Sequence, residues 1–227
     1  VAFFEIRELT VSYRRNGVTF EPFNSISFEL SEGQIADLIG TSGSGKSSLL
    51  CACACLLPNT SGSLLLKEVS SNSLSPEEWR KRVCYVPQKP TVIPGTVRDN
   101  LLLPWSFRVR RNDTPPSDTE LRLLMDEASL GEVNLDRDAA QLSGGELARV
   151  ALLRAFATKP NVLLLDEVDA ALDDASARAV SNLTRRLVRN DTACLRIRHR
   201  PPDGAADRMF KLEHGTITQL NCTDKGV

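Results

Sequence analysis

QIADLIGTSGSGKSSLL, residues 34–50, joins an apolar run to a glycine-rich loop and then to another apolar run. Gly40-Thr41-Ser42-Gly43-Ser44-Gly45-Lys46-Ser47 satisfies G-x-x-x-x-G-K-[ST] at every position, and its flanks read as a strand before and a helix after. The spacing serves a physical purpose. Glycines let the backbone wrap phosphate oxygens with its N–H groups, and the N-terminus of the following helix adds partial positive charge. Lys46 is then in reach of the β- and γ-phosphates of a nucleotide, and the Ser47 hydroxyl of Mg²⁺.

The helix expected over residues 46–57 also carries Cys51, Cys53 and Cys55. In a helix, positions 51 and 55 share a face while 53 points about 160° away, so the three cannot converge on one metal. Cys84 and Cys194, on expected buried strands, make a wider cluster geometrically conceivable. Apolar packing is the expectation, because free cysteine is among the most buried residue types.

Two further segments complete the chemistry. VLLLDE, residues 162–167, is a buried strand ending in two carboxylates, placed at the sheet edge where ligands of open α/β sheets bind. Asp166 there suits Mg²⁺, and Glu167 suits orienting and activating water. LSGGE, residues 142–146, stands directly before the helical run ELARVALLRAFA. Ser143 reads either as a plain helix cap or, with Gly144 and Gly145 leaving N–H groups bare, as a second phosphate-binding helix end.

Working outward, residues 3–40 read as strands, with a hairpin turn at Asn16-Gly17, making an antiparallel sheet that feeds the loop. Strand 63–69 follows, then a helix started by Ser75-Pro76-Glu77-Glu78, then strand 83–87. Residues 91–141 differ: a capping box at Thr96–Asp99, a break at PPSD and the helical periodicity of DTELRLLMDEASL describe a small helical insertion. Helix 145–158, strand 162–166, helix 174–189 and strand 193–197 then alternate, which predicts a mostly parallel sheet covered on both faces; 208–220 is a hairpin turning at His214-Gly215.

The composition excludes several classes. With 28 basic and 29 acidic side chains the net charge of -1 offers no footprint for nucleic acid or anionic membrane. The apolar runs are too short to cross a bilayer, so no direct insertion and a soluble chain are expected. Six cysteines, three of them crowded together, do not resemble a secreted disulfide framework and point to a reducing cytoplasm. No basic segment followed by an apolar one opens the chain, and its first residue, Val1, leaves the natural start open.

GTSGSGKS, LSGGE and VLLLDE, in this order and at these separations, resemble the nucleotide-binding subunit of an ABC transporter over nearly all of residues 3–220. The resemblance implies an α/β P-loop NTPase core with a mostly parallel sheet, an N-terminal antiparallel β-subdomain and an inserted helical subdomain. Residues 1–90 and 142–227 would form the core and 91–141 the helical part. It implies ATP and Mg²⁺ as cofactors, with Gly40 to Ser47 and Ser48 on the phosphates, Tyr13 stacking on adenine, and Ser47, Gln88 and Asp166 toward the metal. Glu167, His199 and Gln88 would serve hydrolysis, His199 as the γ-phosphate sensor. Asp173, in Ala171-Leu172-Asp173, would cross to a partner. Two copies would pair head to tail, so that ATP on one is covered by Ser143, Gly144 and Gly145 of the other, and would drive a polytopic membrane subunit from the cytoplasmic face of the inner membrane.

GTVRDNL at 95–101, the LLPW that follows and an Arg-rich stretch are similar to the ATP-binding subunit of a small two-component bacterial exporter family linked to iron efflux. Trp105 and Phe107 either meet the membrane subunit or form the core of the helical part. PQKP at 87–90 resembles phosphate-type importers instead, and a soluble ABC ATPase of cluster assembly is the remaining class. Asp37 departs from the family pattern: buried without a partner it would cost several kcal/mol, so it needs a partner or edge exposure. Arg196, Arg198 and Arg200 around His199 depart from it as well.

Overall fold

A computed structural model of the chain describes residues 2–15, 18–58 and 60–220, and of residues 13–15 and 18 the backbone alone. The Asn16-Gly17 turn, the Tyr13 side chain and Cys222 lie outside the described residues.

Strands β1 (Phe4–Arg15) and β2 (Val18–Leu30) pair antiparallel. Strand β3 (Ile35–Ile39) does not continue that sheet, contrary to the sequence expectation. It enters a second sheet, because its burial on both faces suits a parallel interior position rather than a half-exposed ribbon. The phosphate loop leads to α1 (Lys46–Cys53), and β4 (Thr60–Leu66) and β5 (Val69–Ser70) close the first sheet in the order β2-β1-β4-β5.

Helix α1 ends four residues before the expected Leu57. Ala54 donates to Leu50, and Cys55 then turns left-handed with φ 52°, which stops the helix. The expected strand 63–69 is likewise broken after Leu66. Lys67 and Glu68 both take positive φ, 48° and 66°, making a tight turn without the glycine or asparagine that marks such turns in a sequence.

Helix α2 (Pro76–Arg82) starts where expected, with the Ser75 side chain accepting from the Glu78 amide at 3.2 Å. The next elements are β6 (Val83–Val86), α3 (Val97–Leu102) behind the Thr96–Asp99 capping box, and α4 (Asp118–Glu127) behind a second box, Ser117–Glu120. Then come α5 (Gly144–Ala157), β7 (Val162–Asp166), α6 (Asp174–Leu187), β8 (Ala193–Ile197) and the hairpin β9 (Arg208–Glu213)–β10 (Thr216–Leu220). The second sheet runs β10-β9-β3-β8-β7-β6, parallel except for the β9–β10 hairpin.

Alternation along β7 assigns its residues to two cores. Val162 and Leu164 pack with Phe4, Leu38, Leu50 and Trp79 between the sheets, while Leu163 and Leu165 join Leu121, Met125, Leu153 and Leu183 on the other face. Trp79 is fully buried and donates its Nε1–H to the Cys53 carbonyl at 2.8 Å, tying α2 to the end of α1. Of the five described cysteines, Cys53 and Cys194 are buried and Cys51, Cys55 and Cys84 partly so, all as free thiols. Burial pushes every one of these thiols up, Cys84 to about 11 and Cys194 to about 12, so they stay protonated packing groups at neutral pH. Among the described residues no cluster of His, Cys, Asp or Glu is arranged to cage a metal ion.

Asp37 has the partner it needs. Parallel pairing of β3 with β8 sets it opposite Arg196, whose Nε and Nη2 donate to Asp37 Oδ1 and Oδ2 at 2.7 and 3.1 Å. The two departures from the apolar pattern are one buried, bidentate ion pair.

Candidate functional site

The parallel strands β3 and β7 end at the same edge of the sheet, so the loop after one meets the carboxylates at the end of the other. Gly40 and Gly45 have structural reasons to be glycine. A Cβ on Gly40 (φ 151°) would lie 2.3 Å from the Leu212 carbonyl oxygen, and one on Gly45 (φ 99°) would lie 2.7 Å from Pro22 Cβ. The curled loop presses on β9 and β2 through these two positions and leaves its open side to a cavity of about 370 Å³. Ser42, Gly43, Gly45, Lys46, Ser47, Ser48, Glu167 and His199 line that cavity with Phe20, Glu21 and Pro22.

Lys46 is 5% exposed and caps its own loop, donating to the Gly40 and Thr41 carbonyls at 2.9 Å each. Burial lowers its pKa against the opposing pull of Glu167 and Asp166. Ser44 Oγ is buried without a hydrogen-bond partner, an unused polar atom inside the loop. The Ser47 hydroxyl donates to Asp166 Oδ1 at 3.1 Å, and the Tyr85 hydroxyl to Oδ2 at 2.8 Å.

Glu167 follows β7 with φ 49°, a left-handed turn that swings its side chain out of the strand's alternation. Its carboxylate is bracketed: Gln88 Nε2 donates to Oε2 at 2.9 Å, and His199 Nε2 lies 2.8 Å from Oε1. Gln88, Glu167 and His199, more than a hundred positions apart at the extremes, therefore meet at one carboxylate beside the phosphate loop.

Ser143, Gly144, Gly145 and Asp173 are not brought to this cavity. Ser143 caps α5 in a reciprocal box with Glu146, and Asp173 caps α6 by accepting from Ser176 at 2.9 Å. The Ser176 amide and hydroxyl, both donating to it, hold the Asp173 carboxyl below its usual range. A Cβ on Gly145 would strike Ser176 Oγ at 2.4 Å, whereas one on Gly144 meets nothing within 4 Å. The α5 N-terminus thus rests on α6 through one glycine and presents the other to open space.

The arginines beside His199 are also engaged. Arg198 pairs with Asp169 at 3.0 Å and with Asp203 at 2.7 Å, while Arg200 donates to the Asp169 and Leu172 carbonyls and to Asp174 at 2.7 Å. They fasten the His199 loop to segment 169–174, which ends in the Asp173 cap. Sequence reasoning noted these arginines but not Asp169, Asp203 or Tyr85. Their partners lie on other elements, and no local spacing signals them.

Residues 23–170 match the family described as ABC transporter. The chain belongs to the ABC transporter family. This ABC ATPase is 36% identical over 192 residues to the probable iron export ATP-binding protein FetA of Escherichia coli (strain K12), an alignment that covers 84% of each chain. It is 35% identical over 227 residues to the glutathione/L-cysteine transport system ATP-binding/permease protein CydD of the same organism, where 95% of this chain spans 36% of the relative. It is 32% identical over 224 residues to the sn-glycerol-3-phosphate import ATP-binding protein UgpC of Psychromonas ingrahamii, covering 95% of this chain and 57% of that one. The chain is an ATP-binding ATPase of the type that works with membrane subunits, which CydD's name places in the same polypeptide as its ATPase. Among the described residues no helix is long and apolar enough to cross a membrane.

Proposed function

We propose that this ABC ATPase works as a head-to-tail pair that hydrolyses ATP to drive a separate membrane subunit of an exporter, from the cytoplasmic face of the membrane. Residues 1–90 and 142–227 act as its nucleotide-binding core and 91–141 as its helical arm. The observation that carries the reading is the Glu167 carboxylate, held at 2.9 and 2.8 Å by Gln88 and His199 at the mouth of the phosphate-loop cavity.

The loop fits ATP: Ser44 Oγ is an unsatisfied donor within it, and Lys46 has a third N–H beyond the two it gives to carbonyls. Tyr13 is assigned to the adenine by the family resemblance alone. Mg²⁺ also fits, because this ion is bound by about one or two protein oxygens plus phosphates rather than by a full protein cage, and Ser47 and Asp166 offer such a pair. Bound there with Gln88 nearby, Mg²⁺ would neutralise charge developing on the phosphate oxygens. Glu167 accepts the proton of the attacking water, and Gln88 and His199 hold its carboxylate in place. His199 also lines the cavity, which supports the family's γ-phosphate-sensing role for it. Completion of the site by Ser143, Gly144 and Gly145 of a second copy accounts for their distance from the cavity in their own chain, and Asp173 would lie at the same junction.

A groove of about 450 Å³ between α2, β6 and α5 supports docking of the membrane subunit. Arg80, Lys81, Arg108, Arg110 and Arg154 line it, Arg80 paired with Glu77 and both Lys81 and Arg110 with Asp113, and the half-exposed Phe107 forms an apolar rim. Its occupant is an acidic segment of the membrane subunit with an apolar face. Trp105 is partly buried, with the Arg110 guanidinium over its ring. Iron or another metal as cargo follows the name of FetA; UgpC's name favours import as the second reading.

The test is Glu167→Gln with Mg-ATP. It should accumulate as an ATP-bound dimer on size exclusion while Lys46→Ala stays monomeric without nucleotide; a monomer under all conditions refutes the paired mechanism.

A further inference from the structure

Tyr85, on strand β6, borders the basic groove described above, while its side chain packs against the core of Phe4, Leu50 and Trp79 and its hydroxyl donates to Asp166 Oδ2 at 2.8 Å. An ionised carboxylate only accepts, so the proton in this bond belongs to Tyr85. Behind it stands Cys51, close enough for its thiol and the Tyr85 hydroxyl to influence each other electrostatically. Cys51 stands four residues after Ser47 on α1, one turn along the same face, so it sits beside the Ser47–Asp166–Tyr85 chain of hydrogen bonds between α1 and the ends of β6 and β7.

The Tyr85–Asp166 bond has a direction: Tyr85 gives its proton to Oδ2. Oδ2 is thereby occupied by a donor built into the fold, and Asp166, 5% exposed, keeps Oδ1 turned to the Ser47 hydroxyl. A carboxylate with one oxygen so held cannot turn the other away from the phosphate loop without losing a hydrogen bond in a place water does not reach.

We propose that Tyr85 is a positioning residue for Asp166, fixing the oxygen that faces Mg²⁺, with Cys51 as the outer partner that orients the Tyr85 hydroxyl. This rests on the reading of Ser47 and Asp166 as the Mg²⁺ pair. Partners of this kind behind a metal-bound carboxylate typically contribute about 10- to 100-fold to metal affinity.

Tyr85→Phe keeps the ring and the groove wall and removes only the hydroxyl. The probe is Mn²⁺, titrated by electron paramagnetic resonance into the full chain with a non-hydrolysable ATP analogue, alongside analogue binding in EDTA. The expected result is Mn²⁺ affinity reduced about 10- to 100-fold with metal-free analogue binding unchanged, since the loop and Lys46 are intact. Cys51→Ala should weaken Mn²⁺ in the same direction by less, and it carries the test if Tyr85→Phe does not fold. Unchanged Mn²⁺ affinity in the variants overturns the assignment. So does an equal loss with and without metal, which would make Tyr85 a packing residue. Failure of the unmodified chain to bind Mn²⁺ with the analogue is a separate result that removes the Ser47–Asp166 reading first and this assignment with it.

Discussion

Arg196→Met takes from the sheet interior a guanidinium that is 4% exposed and sits 2.7 and 3.1 Å from Asp37 and 3.2 Å from Asp203. Asp203 retains Arg198 at 2.7 Å and the Ser181 hydroxyl, so the loss falls on Asp37, itself 3% exposed and left without its hydrogen-bonded cation. Removing one partner of a buried pair strands an uncompensated charge and costs about 3–5 kcal/mol. In a chain of this size each kcal/mol moves the melting point by about 2–4 °C, so a fall on the order of 10 °C is expected. The double variant Asp37→Leu/Arg196→Met replaces both ions with apolar side chains. It should lie within about 2 kcal/mol of the natural chain, because the desolvation of both charges is removed together. Urea unfolding followed by Trp79 and Trp105 emission measures all corners of this cycle. A single variant costing less than about 1 kcal/mol, or a double variant costing the sum of the two singles, would refute the account of Asp37 and Arg196 as a mutually dependent pair.

Two other consequences follow from the geometry. Gly144→Asp has free space in its own chain and adds an acid to the first turn of α5, so the monomer's melting point should hold, while ATPase activity falls at least about tenfold because a negative charge would face the partner's ATP; full activity would show that no second copy completes the site. Burial works to raise the Asp203 carboxyl, but hydrogen bonds from Arg196 and Ser181 and the Arg196 charge hold it down to about 2 from its ordinary 3.8. Its contribution to stability is thus present above about pH 4 and lost as the pH falls toward 2. Asp203→Asn should be less stable at pH 7, with the gap closing across that window in urea midpoints; a gap that widens on acidification would contradict the sign.

The site's own segments were legible because their chemistry is local. Gly40 to Ser47 carries its geometry in the positions of its glycines, and Ser75 and Thr96 announce helix starts through side chains bonded three residues away. The end of α1 was harder to read, since Cys55 adopts a left-handed turn that its residue type disfavours, and the Lys67-Glu68 turn hides for the same reason. Both are set by packing. The buried Trp79 bonds the carbonyl of Cys53, and β4 must reverse to meet β5. That Cys53 lies on a different face of α1 from Cys51 and Cys55 did follow from helical geometry alone. That Cys51 lies beside Tyr85 did not, because their nearness depends on how α1 lies against β6.

Asp37 and Arg196 mark the limit between the two kinds of knowledge. Taken one at a time, each is a charged residue in a strand otherwise built for burial, and each argues against its own strand assignment. Taken together they support it, because a carboxylate and a guanidinium can both stay buried only if their strands are neighbours in a register that sets them opposite each other. Strands 34–40 and 193–197 carry such a pair near their centres, and the observed pairing of Ile35 with Cys194 and of Leu38 with Ile197 places Asp37 against Arg196. Had β3 paired with β7 instead, Asp37 would face a strand whose residues before Asp166 are all apolar, at a cost of several kcal/mol. The ion pair therefore opposes the competing strand order that the apolar residues alone would tolerate. Because β3 ends in the phosphate loop and β8 leads to His199, the same choice brings the two halves of the nucleotide site to one edge.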